Sequence, residues 1–185
     1  MVMPEPSPDL HANIRATVEA MPDSDTRGYF LDMLDNRRHS PCCHPASDVT
    51  DHITATAIVV HPDRRQVLLC LHKLVGRWLH LGGHAEPGDN TLVDSALREA
   101  AEESGLTDLR IGEALFLDLH PVTCRYGPSV HFDIAYPVLA ASAKATVSDE
   151  SEALAWYGPY HFPRGTFEKI DRMSMRALNW AAGQP

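Results

Sequence analysis

Apolar residues recur at helical spacing from Asp9 to about Asn36: Leu10, Ile14, Val18 and Met21, then Tyr29, Phe30, Leu31, Met33 and Leu34. Pro22-Asp23-Ser24 interrupts them, so the pattern predicts two short helices. Arg37 to Asp51, with its prolines, cysteines and small polar residues, reads as a connecting loop. The periodicity then changes. His52 to His61 carries Ile53, Ala55, Ala57, Val59 and Val60 in mostly alternating order, Pro62-Asp63 turns the chain, and Gln66 to Leu71 is a second apolar run, which together predict a hairpin. Trp78 to Leu81 predicts a third short strand that ends at a Gly82-Gly83 break. Thr91 to Ser104 predicts a helix stopped by Gly105. Strands near Leu109 to Leu119 and Val130 to Leu139 follow, then an acidic loop at Ser148 to Glu152, a strand around Ala153 to Tyr157 and a helix from Phe167 to Ala182. Mixed strands around one glycine-preceded helix predict an α/β sandwich over residues 51–185, preceded by a helical extension and linker over 1–50.

Composition narrows the function classes. At 185 residues and 44% hydrophobic, the chain can bury a substantial core in one domain. A formal net charge of -9 argues against tight binding to nucleic acid, which needs clustered Lys and Arg to neutralise phosphates. No stretch approaches the roughly 20 apolar residues that span a bilayer, and Met1 to Leu10 lacks the basic and then apolar character of a signal peptide. A cytoplasmic protein without membrane or nucleic-acid partners is the expectation. Cys42, Cys43, Cys70 and Cys124 read as reduced thiols; Cys42-Cys43-His44 has no second pair to complete a four-ligand zinc site.

The chemistry concentrates in Gly82-Gly83-His84-Ala85-Glu86-Pro87-Gly88-Asp89 and, after eight residues, Arg98-Glu99-Ala100-Ala101-Glu102-Glu103-Ser104-Gly105-Leu106. At about 100° per residue, Glu99, Glu102 and Glu103 share one helical face, while Val93, Ala96, Leu97, Ala100 and Ala101 fall on another. The helix is expected to pack through its alanines and present the carboxylates outward. Like charges so close repel by a few tenths of a kcal/mol per pair, and hard oxygen ligands on a rigid element suit Mg²⁺ or Mn²⁺. A solvated acidic face is the plain alternative. The glycine pair favours a site, because it lets the backbone approach a ligand with no Cβ in the way.

This segment resembles the Nudix box: Gly, five residues, Glu, seven residues, Arg-Glu, an aliphatic residue, any residue, Glu-Glu, any residue, Gly and an aliphatic residue. Gly83, Arg98, Glu99, Glu102, Glu103, Gly105 and Leu106 match, with Ala100 a small version of the aliphatic position. Asp89 stands where Glu is usual and eight residues separate it from Arg98, so the loop carries one extra residue and Asn90 also competes for that position. The resemblance implies a Nudix-type α/β/α sandwich with a mixed β-sheet, and a pyrophosphohydrolase that cuts a diphosphate linkage in a small nucleotide-like substrate. It further implies that Glu99, Glu102 and Glu103, with the Gly83 carbonyl, hold Mg²⁺ or Mn²⁺ while Arg98 orients a glutamate. Glu102 or Glu103 is the expected general base, with Glu150 or Glu152 the second candidate.

Around this site His80, His84, His120 and His131 are candidates for phosphate, metal or proton chemistry, against a structural role for each. Lys73 and Arg77 are candidates to meet phosphate, and Trp78 and Tyr126 to stack on a base, with core packing the alternative for Trp78. An isopentenyl diphosphate isomerase shares the fold implied here, but its nucleophilic cysteine would fall at Gly82. A non-catalytic nucleotide sensor is the alternative from another class; it sits poorly with three retained glutamates. Pro121, fifteen residues beyond Leu106, lies about where ADP-ribose-cleaving members of the family carry a proline, so a nucleotide sugar or ADP-ribose-like compound comes first as substrate and a nucleoside triphosphate second. The N-terminal helices offer a surface for a homodimer.

Overall fold

The computed structural model describes residues 8–36, 51–86, 88–124 and 127–184. Cys42, Cys43, His44 and Tyr126 lie outside the described residues. Two helices open the chain, α1 (Pro8–Ala20) and α2 (Asp25–Asp35), the second capped by the Ser24 side chain. The strands are β1 (His52–Val60), β2 (Val67–His72), β3 (Arg77–Leu79), β4 (Leu81–His84), β5 (Leu109–Ile111), β6 (Phe116–Cys124), β7 (Gly127–Ala140) and β8 (Ser151–Tyr157). Helix α3 (Leu92–Ser104) follows β4, and α4 (Glu168–Ala182) closes the chain.

All eight strands join one mixed sheet, with β3-β2-β1-β7-β5 as its spine. β1 runs parallel to β7 from His52↔His131 to Val60↔Leu139, and antiparallel to β4 from Thr54↔His84 to Ala57↔Leu81. β6 folds back on β7, and β8 covers β2. Because side chains alternate across a strand, β1 feeds two cores. Ile53, Ala55, Ala57 and Val59 pack with α1, α2 and α3, while Ile58 and Val60 pack with α4. The architecture is an α/β/α sandwich, with α1, α2 and α3 on one face of the sheet and α4 on the other.

Two expectations need correction. Gly82 and Gly83 do not break the chain: they lie inside β4 and pair with Thr56 and Ala55. The expected strand over Leu109 to Leu119 is two strands, because residues 112–115 stand against only two residues of β7 between Ile111↔Val138 and Phe116↔Ala135; the Trp180 ring of α4 packs on Gly112 there. The N-terminal helices share the main core. Leu10, Ile14, Val18, Phe30, Met33 and Leu34 are buried with Ile53 and Leu92, and Phe30 meets Phe132 edge-on at 5.1 Å. These six residues are thus covered within the chain, while Tyr29 of α2 is 62% exposed. Among the described residues no helix is long and apolar enough to cross a membrane.

Candidate active site

Helix α3 begins at a capping box in which Thr91 and Asp94 satisfy each other's backbone N–H, and it ends at Gly105 with φ 68°. Both ends are set locally, so the angular positions of Glu99, Glu102 and Glu103 follow from the sequence. Their surroundings do not. The shared face is turned toward β4, not outward: Glu103 is 3% exposed and its Oε2 accepts from the Gly82 N–H at 2.8 Å. The Glu99 carboxylate occupies the space of the missing Gly83 side chain, where a Cβ would lie 2.5 Å from Oε1. The Glu99 side chain is 13% exposed against 60% for Glu102, the one carboxylate of the three that opens widely to solvent. Two adjacent glycines let the helix approach β4 closely enough to bury charge.

Arg98 ties the cluster together. Its Nε and Nη2 donate to the two carboxylate oxygens of Asp89 at 3.3 and 3.1 Å, Nη1 donates to Glu99 and Glu102 at 3.0 Å each, and Nη2 also reaches the His84 carbonyl at 2.8 Å. Asp89, 8% exposed, further accepts from the Glu86 N–H and the Ser95 hydroxyl. Asp89 rather than Asn90 therefore braces the arginine, and the added residue is absorbed before the Thr91 cap, where the Asn90 N–H bonds Asp94. Burial opposes ionisation of Asp89, but Arg98, the Glu86 N–H and Ser95 together hold its carboxyl below the usual range.

Glu99 and Glu103 are pushed the other way. Burial raises both; Arg98 partly offsets this at Glu99 and the Gly82 N–H at Glu103, while Glu102 and Glu150 repel each of them. Glu103 is pushed up to about 7. Clustered carboxylates that resist ionisation beside backbone cleared of side chains fit a divalent cation, which would relieve the burial and the mutual repulsion together.

The NUDIX domain family model matches residues 51–178. The chain belongs to the Nudix family. Solved structures agree on the fold. A NUDIX-family hydrolase from Clostridium perfringens superposes with TM-score 0.55 at 23% identity, over 70% of this chain and 97% of that one. The NUDIX domain of Shewanella oneidensis NrtR, in complex with ADP ribose, gives 0.53 at 18% identity, over 80% and 97%. A C. elegans Ap4A hydrolase binary complex gives 0.52 at 16%, over 71% and 98%. No curated protein matches the chain. With Arg98, Glu99, Glu102 and Glu103 of the Nudix box all in place, the chain is an enzyme of the Nudix hydrolase class.

The other candidate residues divide. Trp78 packs in the second core, edge-on to Tyr157 at 5.2 Å, and the Arg77 guanidinium lies 4.7 Å over the Phe167 ring while donating to the Gly165 carbonyl. Neither is gathered with the Nudix glutamates. Lys73 bonds the backbone of Asp149 and Glu150 and so ties down the acidic loop. It is Glu150 whose charge acts on Glu99 and Glu103; Glu152 is exposed one step along β8 from buried Ser151. His80 is buried against Ser174 of α4, with Nε2 2.9 Å from Oγ, away from the glutamates. His84, His120 and His131 do gather, around a residue the sequence reading passed over, His52: ring centroids lie 4.7 Å apart for His52–His84, 4.6 Å for His52–His131 and 5.2 Å for His120–His131. Asp133, two residues beyond His131 on β7, is buried and accepts from the Thr54 and Thr56 hydroxyls.

Proposed function

We propose that this chain is a metal-dependent Nudix pyrophosphohydrolase that cleaves the diphosphate of a nucleoside diphosphate joined to a second group, with Mg²⁺ or Mn²⁺ as cofactor. The observation that carries this reading is the placement of Glu103 on the Gly82 N–H and of Glu99 against Gly83, with Glu102 held beside them by Arg98, which Asp89 braces. Glu99, Glu102, Glu103 and the Gly83 carbonyl would hold the cation. When bound, it neutralises diphosphate charge and lowers the pKa of water. Arg98 fixes the carboxylates of Glu99 and Glu102, so the ligand set is preorganised. Glu102, open to solvent, is suited to take a proton from attacking water, with Glu150 in reserve on the opposing loop.

The face of the sheet carrying His84, His120 and His131 offers polar groups for the phosphates or sugar. A nucleotide sugar or ADP-ribose-like compound is the first substrate to try, ahead of nucleoside triphosphates. Pro121 on β6 favours it, and a domain of the same fold is known in complex with ADP ribose. Purified protein with Mg²⁺ or Mn²⁺ is to be assayed for phosphate release, with a coupled phosphatase, on ADP-ribose, nucleotide sugars, dinucleotides and nucleoside triphosphates. Metal-dependent product from one class, abolished by chelation and lowered by orders of magnitude in Glu102→Gln, is the expected outcome. Silence across the panel, with a ligand raising the melting temperature, would replace the enzyme by a nucleotide sensor.

A further inference from the structure

The side chains of Gly82-Gly83-His84 alternate across β4. A Cβ on Gly83 would point at Glu99 on the α3 side, so His84 projects from the opposite face. There it meets His52 and His131, which sit directly opposite each other on the parallel pair β1–β7. Three strands distant in sequence thus bring three imidazoles to one end of the sheet. Each offers one nitrogen, and the three nitrogens lie within 4.8 Å of one another.

We propose that His52, His84 and His131 form a binding site for one first-row transition-metal ion, Zn²⁺ by ligand type, separate from the glutamate cluster on the other face of β4. Imidazole nitrogen suits Zn²⁺, whereas Mg²⁺ takes oxygen ligands, so the two clusters select different ions. Tetrahedral Zn²⁺ at about 2.0–2.1 Å from each nitrogen needs nitrogens about 3.4 Å apart. His52 is buried and its Nδ1 lies 3.0 Å from the Ser129 hydroxyl, the kind of outer partner that orients a metal-ligating ring and directs Nε2 to the ion. His84 and His131 are half-buried, which leaves the remaining coordination position on the accessible side, beside His120. That pattern of three protein ligands and one open position belongs to sites that bind an exchangeable oxygen. Arg98, through the His84 carbonyl, connects the two faces.

The site stands independently of the hydrolase reading, and its test uses metal alone. Chelator-treated full-length protein is titrated with Co²⁺ and the visible absorption followed, with Zn²⁺ as competitor. The expected result is a tetrahedral nitrogen-ligand band at one equivalent, displaced by Zn²⁺, with three exchangeable imidazole N–H resonances in the paramagnetic proton spectrum. The Glu99→Gln/Glu102→Gln/Glu103→Gln variant retains the band. His84→Gln and His131→Gln, checked for folding by circular dichroism, lose Co²⁺ affinity by more than the roughly 10–100-fold that removing an outer-shell partner causes. Absence of the band in the wild-type protein, its persistence in both histidine variants, or its loss in the glutamate variant would each overturn the proposal.

Discussion

Glu103 combines two demands that conflict. It is buried deeply enough to hold its proton up to about pH 7, and the proposed chemistry needs it ionised beside a cation. Its pKa is raised from 4.5 in the unfolded chain, so the folded state binds the extra proton over that window. The stability this group contributes is present below about 4.5 and lost as pH rises through about 7. In metal-free protein, Glu103→Gln, which still accepts from the Gly82 N–H, should therefore stabilise the fold at pH 8 by about 1–3 kcal/mol and be near neutral at pH 5. Melting curves in chelator at the two pH values check this; an equal shift at both would refute it. Turnover should fall by orders of magnitude in the same variant, the exchange of stability for function common at active sites. The identity and angular placement of this residue were legible in the helical spacing. Its burial was not, because that depends on how closely a distant strand approaches.

The pairing of α3 with β4 turns on two glycines that act differently. Gly82 has φ +151°, and a Cβ there would lie 2.4 Å from the Ala55 carbonyl oxygen and 2.8 Å from the Thr56 Cα, backbone atoms that cannot move alone. The three atoms nearest a Cβ on Gly83 all belong to the Glu99 carboxylate, the end of a flexible side chain. Gly82→Ala is expected to destabilise the protein by about 2 kcal/mol or more through forced overpacking and strain. Gly83→Ala should leave the urea midpoint within about 1 kcal/mol while displacing Glu99 and cutting turnover about 100-fold or more. Denaturation and kinetics on the two variants give opposite rankings if this is right, and parallel losses would reject it. A double glycine in sequence reads as a break because glycine weakens a strand. Here the strand persists because β1 supplies its ladder and α3 covers it, a tertiary contribution no local rule contains.

The first helices belong to the stability of the whole molecule. Phe30 is fully buried, packs edge-on against Phe132 of β7, and shares a core with Ile53 and Leu92. The Asn13 side chain accepts from the Leu92 N–H at the start of α3, tying the extension to the helix that carries the glutamates. Phe30→Ala is expected to lower global stability by about 3–5 kcal/mol in a single cooperative transition that also takes down the sheet. If the helices were an independent appendage, the strand signal would melt at the wild-type midpoint.

Local periodicity and capping chemistry determined most of what the sequence alone could: the helices, most strands, and a box helix whose three glutamates share one face with an arginine beside them. Those features depend on neighbours within a turn or two, which the sequence lists in order. Tertiary structure decided that Asp89 and not Asn90 holds Arg98, that Trp78 and Arg77 pack around α4, and that Glu150 faces the glutamates. It alone brought His52, His84 and His131 together, because the register of β1 against both β4 and β7 is set by burying alternate apolar side chains on opposite faces of one sheet.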